Sequence, residues 1–234
     1  MWQYQYETLT EFRSLAVDLR GFGRSGLAID QLSLGQMADD LNDLLEAKIP
    51  GQSFIYVGLS MGGYIAWQFL QRPARQRLAA LILCDTRAAA DSKEIQRARR
   101  VSARRVLDEG PAVIIEPMLE KLFSPTTRQR SDDRIRATRE VMLATEPAVI
   151  AAALQAMAER PDATELLGQI DVPTLLICGQ QDEITTASEM ASMAERMPNA
   201  HLEVIPDAGH MAPLEQPELV NKAIRKFLRE SAGS

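Results

Sequence analysis

The stretch Phe54-Ile55-Tyr56-Val57-Gly58-Leu59-Ser60-Met61-Gly62-Gly63 decides the fold. Its first four residues are aromatic or β-branched, as a strand prefers. The chain then turns through Gly58-Leu59-Ser60-Met61-Gly62 into an apolar-rich segment, Tyr64-Ile65-Ala66-Trp67-Gln68-Phe69-Leu70. Strand, sharp turn and helix in that order set Ser60 at a helix start. Unpaired N–H groups and the helix dipole there favour developing negative charge. A serine held in a strained turn projects out of the sheet as a nucleophile. Gly58 and Gly62, two before and two after it, are expected to keep side chains from colliding. The Met61 N–H then becomes one oxyanion donor. A five-residue string of this kind also arises by chance, so its surroundings carry the reading.

Outward from this turn, short apolar runs alternate with helical patterns. Runs at 15–17, 54–57, 81–84, 174–178 and 201–205 read as strands, each followed by Asp, Gly or Pro. The alternation implies an α/β fold, a mostly parallel sheet with helices on both faces. In such sheets the chemistry gathers at the carboxyl ends of the strands. Residues 87–167 break the rhythm: they hold helical patterns punctuated at Gly110-Pro111, Ser124-Pro125, Glu146-Pro147 and Arg160-Pro161. About 80 residues is too long for a simple crossover. The expectation is a core of residues 1–86 and 168–234, with 87–167 inserted as a helical cap.

A serine hydroxyl needs a neighbouring base to take its proton, and the chain offers only His201 and His210. His201 opens a strand-like run and is expected to be structural or solvated. His210 lies in the loop 206–213, past the last run, on the same side of the sheet as Ser60. A carboxylate should fix its tautomer. Asp182, in the loop after the preceding run, is the candidate, and Asp85 is its rival at the end of the run before that. Asp207 reads as a turn former, and Glu183 is expected to point elsewhere.

The chain has 234 residues, 46% of them apolar and 25% charged, with a formal charge of −6 and a pI near 5.1. That balance argues against a nucleic-acid-binding surface, which would be basic. Arg97, Arg99, Arg100, Arg104 and Arg105 are expected to form a solvated helix face beside Asp91, Glu94, Asp108 and Glu109. No apolar run approaches a membrane span of about 18 residues, and the first residues lack a signal-peptide pattern, so the expected location is cytoplasmic. Cys84 and Cys178 each end an apolar run and read as buried thiols. No metal and no cofactor is implied.

Taken together, these residues resemble the α/β-hydrolase superfamily, in the branch of 3-oxoadipate enol-lactonases, small carboxylesterases and cofactor-free haloperoxidases. The similarity runs through Asp18-Leu19-Arg20-Gly21-Phe22-Gly23-Arg24-Ser25, residues 58–63, residues 179–182, and residues 206–213 with Glu215, Pro217 and Glu218 following. The order serine, acid, histidine is also that of these enzymes. The resemblance implies hydrolysis of a small-molecule ester or lactone through an acyl-enzyme, and Ser60 in place of Asp speaks against haloalkane dehalogenases and epoxide hydrolases. Leu59, Met118, Leu122, Phe123, Met142, Leu154, Met157 and Met211 are the candidates to line the substrate pocket, although helical spacing more often makes the cap residues among them core. Other readings are a non-catalytic ligand-binding protein on the same fold and a cofactor-free perhydrolase or haloperoxidase. Oligomeric state stays open, a homo-oligomer included.

The family's usual opening, two antiparallel strands, a third strand and a His-Gly loop with the second oxyanion donor, has no counterpart here. Residues 1–9 resemble the family's first helix. Met1 is thus expected to match an internal methionine of a longer ancestor, the chain being a fragment, a shortened gene product or a natural truncation. The strand at 15–17 and that at 54–57 would then close up, or another chain would fill the gap between them.

Overall fold

The computed structural model describes residues 1–26, 32–130 and 133–231. Its frame is a four-stranded, all-parallel sheet: β1 (Phe54–Leu59), β2 (Leu78–Cys84), β3 (Thr174–Gly179) and β4 (Ala200–Ile205), ordered β1-β2-β3-β4. The central strands read LAALILC and TLLICG, near-continuous apolar runs that suit strands covered on both faces. Helices α1 (Gln3–Thr8), α2 (Leu34–Lys48) and α3 (Met61–Phe69) come first. Between β2 and β3 lie α4 (Lys93–Glu109), α5 (Ala112–Leu122), α6 (Pro125–Gln129), α7 (Asp133–Leu143) and α8 (Pro147–Ala158). The chain ends with α9 (Ala187–Glu195), α10 (Ala212–Glu215) and α11 (Pro217–Ser231).

Because side chains alternate across a strand, the two central strands feed two cores. Ala80, Ile82, Cys84, Leu175 and Ile177 pack on Ile115 and Leu119 of α5 and on Val220, Ile224 and Phe227 of α11. Leu81, Leu83, Leu176 and Cys178 pack on Ala66 and Trp67 of α3 and on Met190 and Met193 of α9. A third cluster joins Met37 and Ala38 of α2 to Tyr64, Ile65 and Phe69 of α3 and to Val149 and Ala153 of α8. The structure is thus of the α/β class, a parallel sheet with helices on both faces.

Glycine and proline punctuate the helical stretch as their chemistry requires. Gly110, at φ 88°, ends α4, Ser124 caps α6 ahead of Pro125, and Pro147 opens α8. The arginine face on α4 needs correction. Arg97, Arg100, Arg104 and Arg105 are exposed, but Arg99 turns inward. Its Nε lies 2.6 Å from Asp91 Oδ2, an oxygen that Arg160 Nη1 also approaches to 2.8 Å. The buried carboxylate draws in Arg99 from this face beside Arg160, because a buried charge needs a partner.

Residues 15–17 form no strand. A three-residue run is short for a ladder, and none of the described strands pairs with it. Leu15 and Val17 stand 53% and 41% exposed. Beyond β1 the sheet likewise has no further strand among the described residues, and Ile55 and Val57 are open to solvent. No single helix among the described residues is long and apolar enough to cross a membrane.

Candidate active site

Four strand ends deliver four side chains to one rim: Ser60 after β1, Asp85 after β2, Asp182 after β3 and His210 after β4. Ser60 has φ 50° and ψ −108°, a strained backbone for a non-glycine residue. Neighbours hold it there. Its N–H donates to the Cys84 carbonyl at 2.9 Å, and its own carbonyl accepts from Thr86 Oγ1 at 2.8 Å and from the Gly63 N–H at 2.9 Å. The Ser60 hydroxyl makes no hydrogen bond among the described residues. Met61 opens α3, and its N–H has no backbone partner there either.

The glycines of the turn divide unexpectedly. A Cβ on Gly58 would come within 2.8 Å of the Gly62 backbone, and one on Gly63 would run into the Thr86 side chain. One on Gly62 would meet nothing within 4 Å. The steric demand expected at Gly62 therefore falls on Gly63, because the helix start presses that residue, not Gly62, against the chain leaving β2.

Asp182 and His210 form a closed unit. His210 Nδ1 lies 2.7 Å from Asp182 Oδ2, and the two residues are only 3% and 5% exposed. The other carboxylate oxygen, Oδ1, accepts the N–H groups of Ile184 at 2.7 Å and Thr185 at 3.0 Å. An ionised Asp182 accepts the Nδ1–H, which in the neutral ring leaves the lone pair on Nε2. The loops that bear the pair are stitched together: the Gln180 N–H donates to the Ile205 carbonyl at 2.9 Å and the Gln181 N–H to the Ala208 carbonyl at 2.8 Å.

Glu215 escaped the reading of the residues, beyond its place in a motif. It is buried; Oε1 accepts the Gly209 N–H at 2.7 Å and Oε2 accepts the Ser124 N–H at 2.8 Å. One carboxylate thus ties the histidine loop to the segment joining α5 and α6, and the Met211 N–H adds a bond to the Leu122 carbonyl at 3.1 Å. A carboxylate five residues past the histidine, at the end of a short helix, was the available signal.

The remaining candidates scatter. Leu59, Phe123 and Met211 sit in one apolar cluster, with Leu122 and Met142 packed against it. Met118 is half-buried and outside these clusters. Leu154 instead fills the contact between α4 and α8, beside Ala103 and Val106, and Met157 packs on that same contact. Their spacing along α8 serves helix packing. His201 is exposed on β4, 3.7 Å from Glu203, Asp207 occupies a left-handed turn at φ 52°, and Glu183 is exposed. Cys84 and Cys178 are buried thiols, which burial first and the nearby acids second hold above the usual thiol range.

A fold of parallel strands with a serine at a strained strand-to-helix turn and a histidine–carboxylate pair on the same rim is that of an α/β hydrolase. A family model described as "alpha/beta hydrolase fold" matches residues 1–217, and the chain belongs to that family. It is 30% identical to 3-oxoadipate enol-lactonase 1 of Acinetobacter baylyi, over 98% of this chain and 84% of that protein. A thermophilic esterase from Thermogutta terrifontis, solved with malate bound, superposes with a TM-score of 0.94 at 45% identity, over 98% of this chain and 85% of that one. The enol-lactonase of Burkholderia xenovorans gives a TM-score of 0.85 at 28% identity, over 97% of this chain and 85% of that one. The chain is accordingly a hydrolase with esterase and enol-lactonase relatives.

Proposed function

We propose that this hydrolase cleaves small carboxylic esters or lactones through an acyl-enzyme formed on Ser60. The observation that carries this reading is the 2.7 Å His210–Asp182 bond, buried at the rim where Ser60 is presented. Ser60 Oγ attacks the carbonyl carbon while His210 Nε2 takes its proton. The Met61 N–H, unpaired at the start of α3, donates to the oxyanion. His210 then returns the proton to the leaving alkoxide, and the acyl-enzyme remains. Water, deprotonated by the same nitrogen, attacks the ester of Ser60; the C–Oγ bond breaks, His210 returns the proton to Ser60 Oγ, and the acid is released. Asp182 keeps the ring in the useful tautomer and stabilises the imidazolium. Residues 87–167 act as a cap, and Leu122, Phe123 and Met142 wall the acyl side. The Ser60–His210 hydrogen bond this step needs is not present among the described residues, and it forms in the Michaelis complex.

The test is hydrolysis of p-nitrophenyl acetate and butyrate by the protein and by Ser60→Ala, beside a fluorophosphonate probe. Stoichiometric labelling at Ser60 and loss of turnover in the variant support the reading. Equal rates for the two proteins reject it.

A further inference from the structure

Behind the candidate triad lies a second buried acid that the mechanism does not use. Asp85 has no measurable exposure and sits in the left-handed region at φ 47°. Its Oδ1 accepts the Gly179 N–H at 2.7 Å. Its Oδ2 is buried and has no partner among protein groups if the carboxyl is ionised. Ligating atoms of Asp85, Cys178 and Asp182 lie within 4.8 Å of one another. A buried oxygen without a partner calls for an explanation, and a proton on it supplies one.

Two carboxylates this close in a dry interior do not both stay ionised. The surroundings decide which of them keeps the charge. Asp182 faces the His210 ring and accepts two backbone N–H groups on its other oxygen. Asp85 accepts only one. The charge belongs on Asp182, and the proton on Asp85. Burial, followed by the Asp182 charge, pushes the Asp85 carboxyl well above the usual carboxylate range, and Glu215 adds to the effect. The remaining groups around the pair, the Cys84 and Cys178 thiols, are held neutral by the same burial. Cys178 points its thiol at the Gly179 and Thr185 carbonyls, with Asp85 beside it.

We propose that Asp85 is a positioning residue, a carboxylic acid whose Oδ2–H donates to the Asp182 carboxylate and braces it against His210. The inference rests on the Ser60–His210–Asp182 reading above. Sequence position made Asp85 a rival of Asp182; the geometry makes it a support. No proton leaves Asp85 during turnover. Its role is to fill the vacant lone pair of Asp182 and to keep the carboxylate plane directed at Nδ1, while Oδ1 anchors the end of β3.

The test uses the whole chain with Asp85→Asn and Asp85→Ala, and Ser60→Ala beside them. Asparagine suits the left-handed backbone and supplies an N–H for Asp182 and a carbonyl for Gly179. Asp85→Asn should therefore hold kcat within about five-fold and leave the acidic limb of the kcat/KM–pH profile in place. Asp85→Ala should lower kcat between about ten- and a hundred-fold with KM little changed, the scale of a misplaced catalytic group. It should also move that limb to higher pH, because Asp182 loses a donor that spread its charge. Infrared spectra at pH 7 should show a protonated-carboxyl C=O band in the wild type that is missing from Asp85→Asn.

Several results would overturn the proposal. They are a limb that moves to lower pH in Asp85→Asn, which would mean an ionised Asp85, or wild-type kcat and pH profile in Asp85→Ala. Absence of the infrared band from the wild type does so even where neither variant folds. Undiminished turnover by Ser60→Ala is a separate outcome that removes the triad reading itself.

Discussion

Gly179 and Gly209 touch backbone to backbone: a Cβ on Gly179 would occupy the place of the Gly209 carbonyl. The end of β3 and the histidine loop approach as closely as two main chains can, and that approach brings Asp182 within 2.7 Å of His210. Gly179→Ala must push the loops apart. Overpacking of this kind costs about 2–3 kcal/mol, a fall in Tm of roughly 5–10 °C for a chain of this size. Turnover should drop more than stability accounts for, since the His210–Asp182 bond lengthens. Calorimetry beside ester hydrolysis checks both.

Asp182→Asn is expected to keep the fold and lose the chemistry. An amide can present its N–H to Nδ1 and so favour the tautomer with the proton on Nε2. That ring cannot accept the proton of Ser60. The expected loss in kcat is on the order of 10³–10⁴, with KM for p-nitrophenyl butyrate nearly unchanged. Circular dichroism should overlay the wild type.

Glu215→Gln should weaken the junction between the α5–α6 segment and the histidine loop. One of the two N–H groups held by Glu215 would face an amide NH₂ in place of an acceptor. Hydrogen bonds to a charged group contribute about 1.5–3 kcal/mol, and a loss of that size should appear as a lower urea midpoint with an unchanged m-value. A variant with the wild-type midpoint would show that the bridge is energetically idle.

The buried thiols predict alkaline instability. Cys84 and Cys178 keep their protons in the fold well above the ordinary thiol range, chiefly through burial. In the unfolded chain they ionise near 8.5. For a folded pKa raised above the unfolded one, the stability contribution is complete below the unfolded value and is lost as pH rises above it. Each thiol should add a slope of about 1.4 kcal/mol per pH unit in that window. Urea midpoints between pH 7.5 and 10 should fall more steeply for the wild type than for Cys84→Ala.

The turn around Ser60 separates two glycines that look alike in the sequence. Gly62→Ala should be tolerated within about 1 kcal/mol, since its place is open. Gly63→Ala meets Thr86 and should cost about 1–3 kcal/mol by overpacking. Thermal melts of the two variants, run side by side, check the order. The reverse ranking would contradict the packing described for α3.

Much of this was legible in order and composition. The four paired strands answer to the runs at 54–57, 81–84, 174–178 and 201–205; the two central ones are continuous and apolar because both their faces are covered, while the outer two mix exposed and buried positions. The run at 15–17 satisfied the same rule but found no partner, and pairing is a property of two segments, invisible in one. Asp182 and His210 were readable because each follows a strand-like run and carries a side chain able to do acid–base work. Glu215 and Asp85 were harder: both are defined by which backbone N–H they accept, and the partners lie 6 to 94 residues away. Leu154 and Met157 have a helical spacing that more often marks core than pocket, and the structure shows them packed against α4.

The outer side of β1 carries a further implication for handling the molecule. A strand without a neighbour presents a row of hydrogen-bonding groups to any other extended chain, and open Ile55 and Val57 make the adjoining surface adhesive. Where this edge stays open, as it is among the described residues, self-association should begin at that margin and grow with concentration, and a lysine at position 57 would act as a gatekeeper against it.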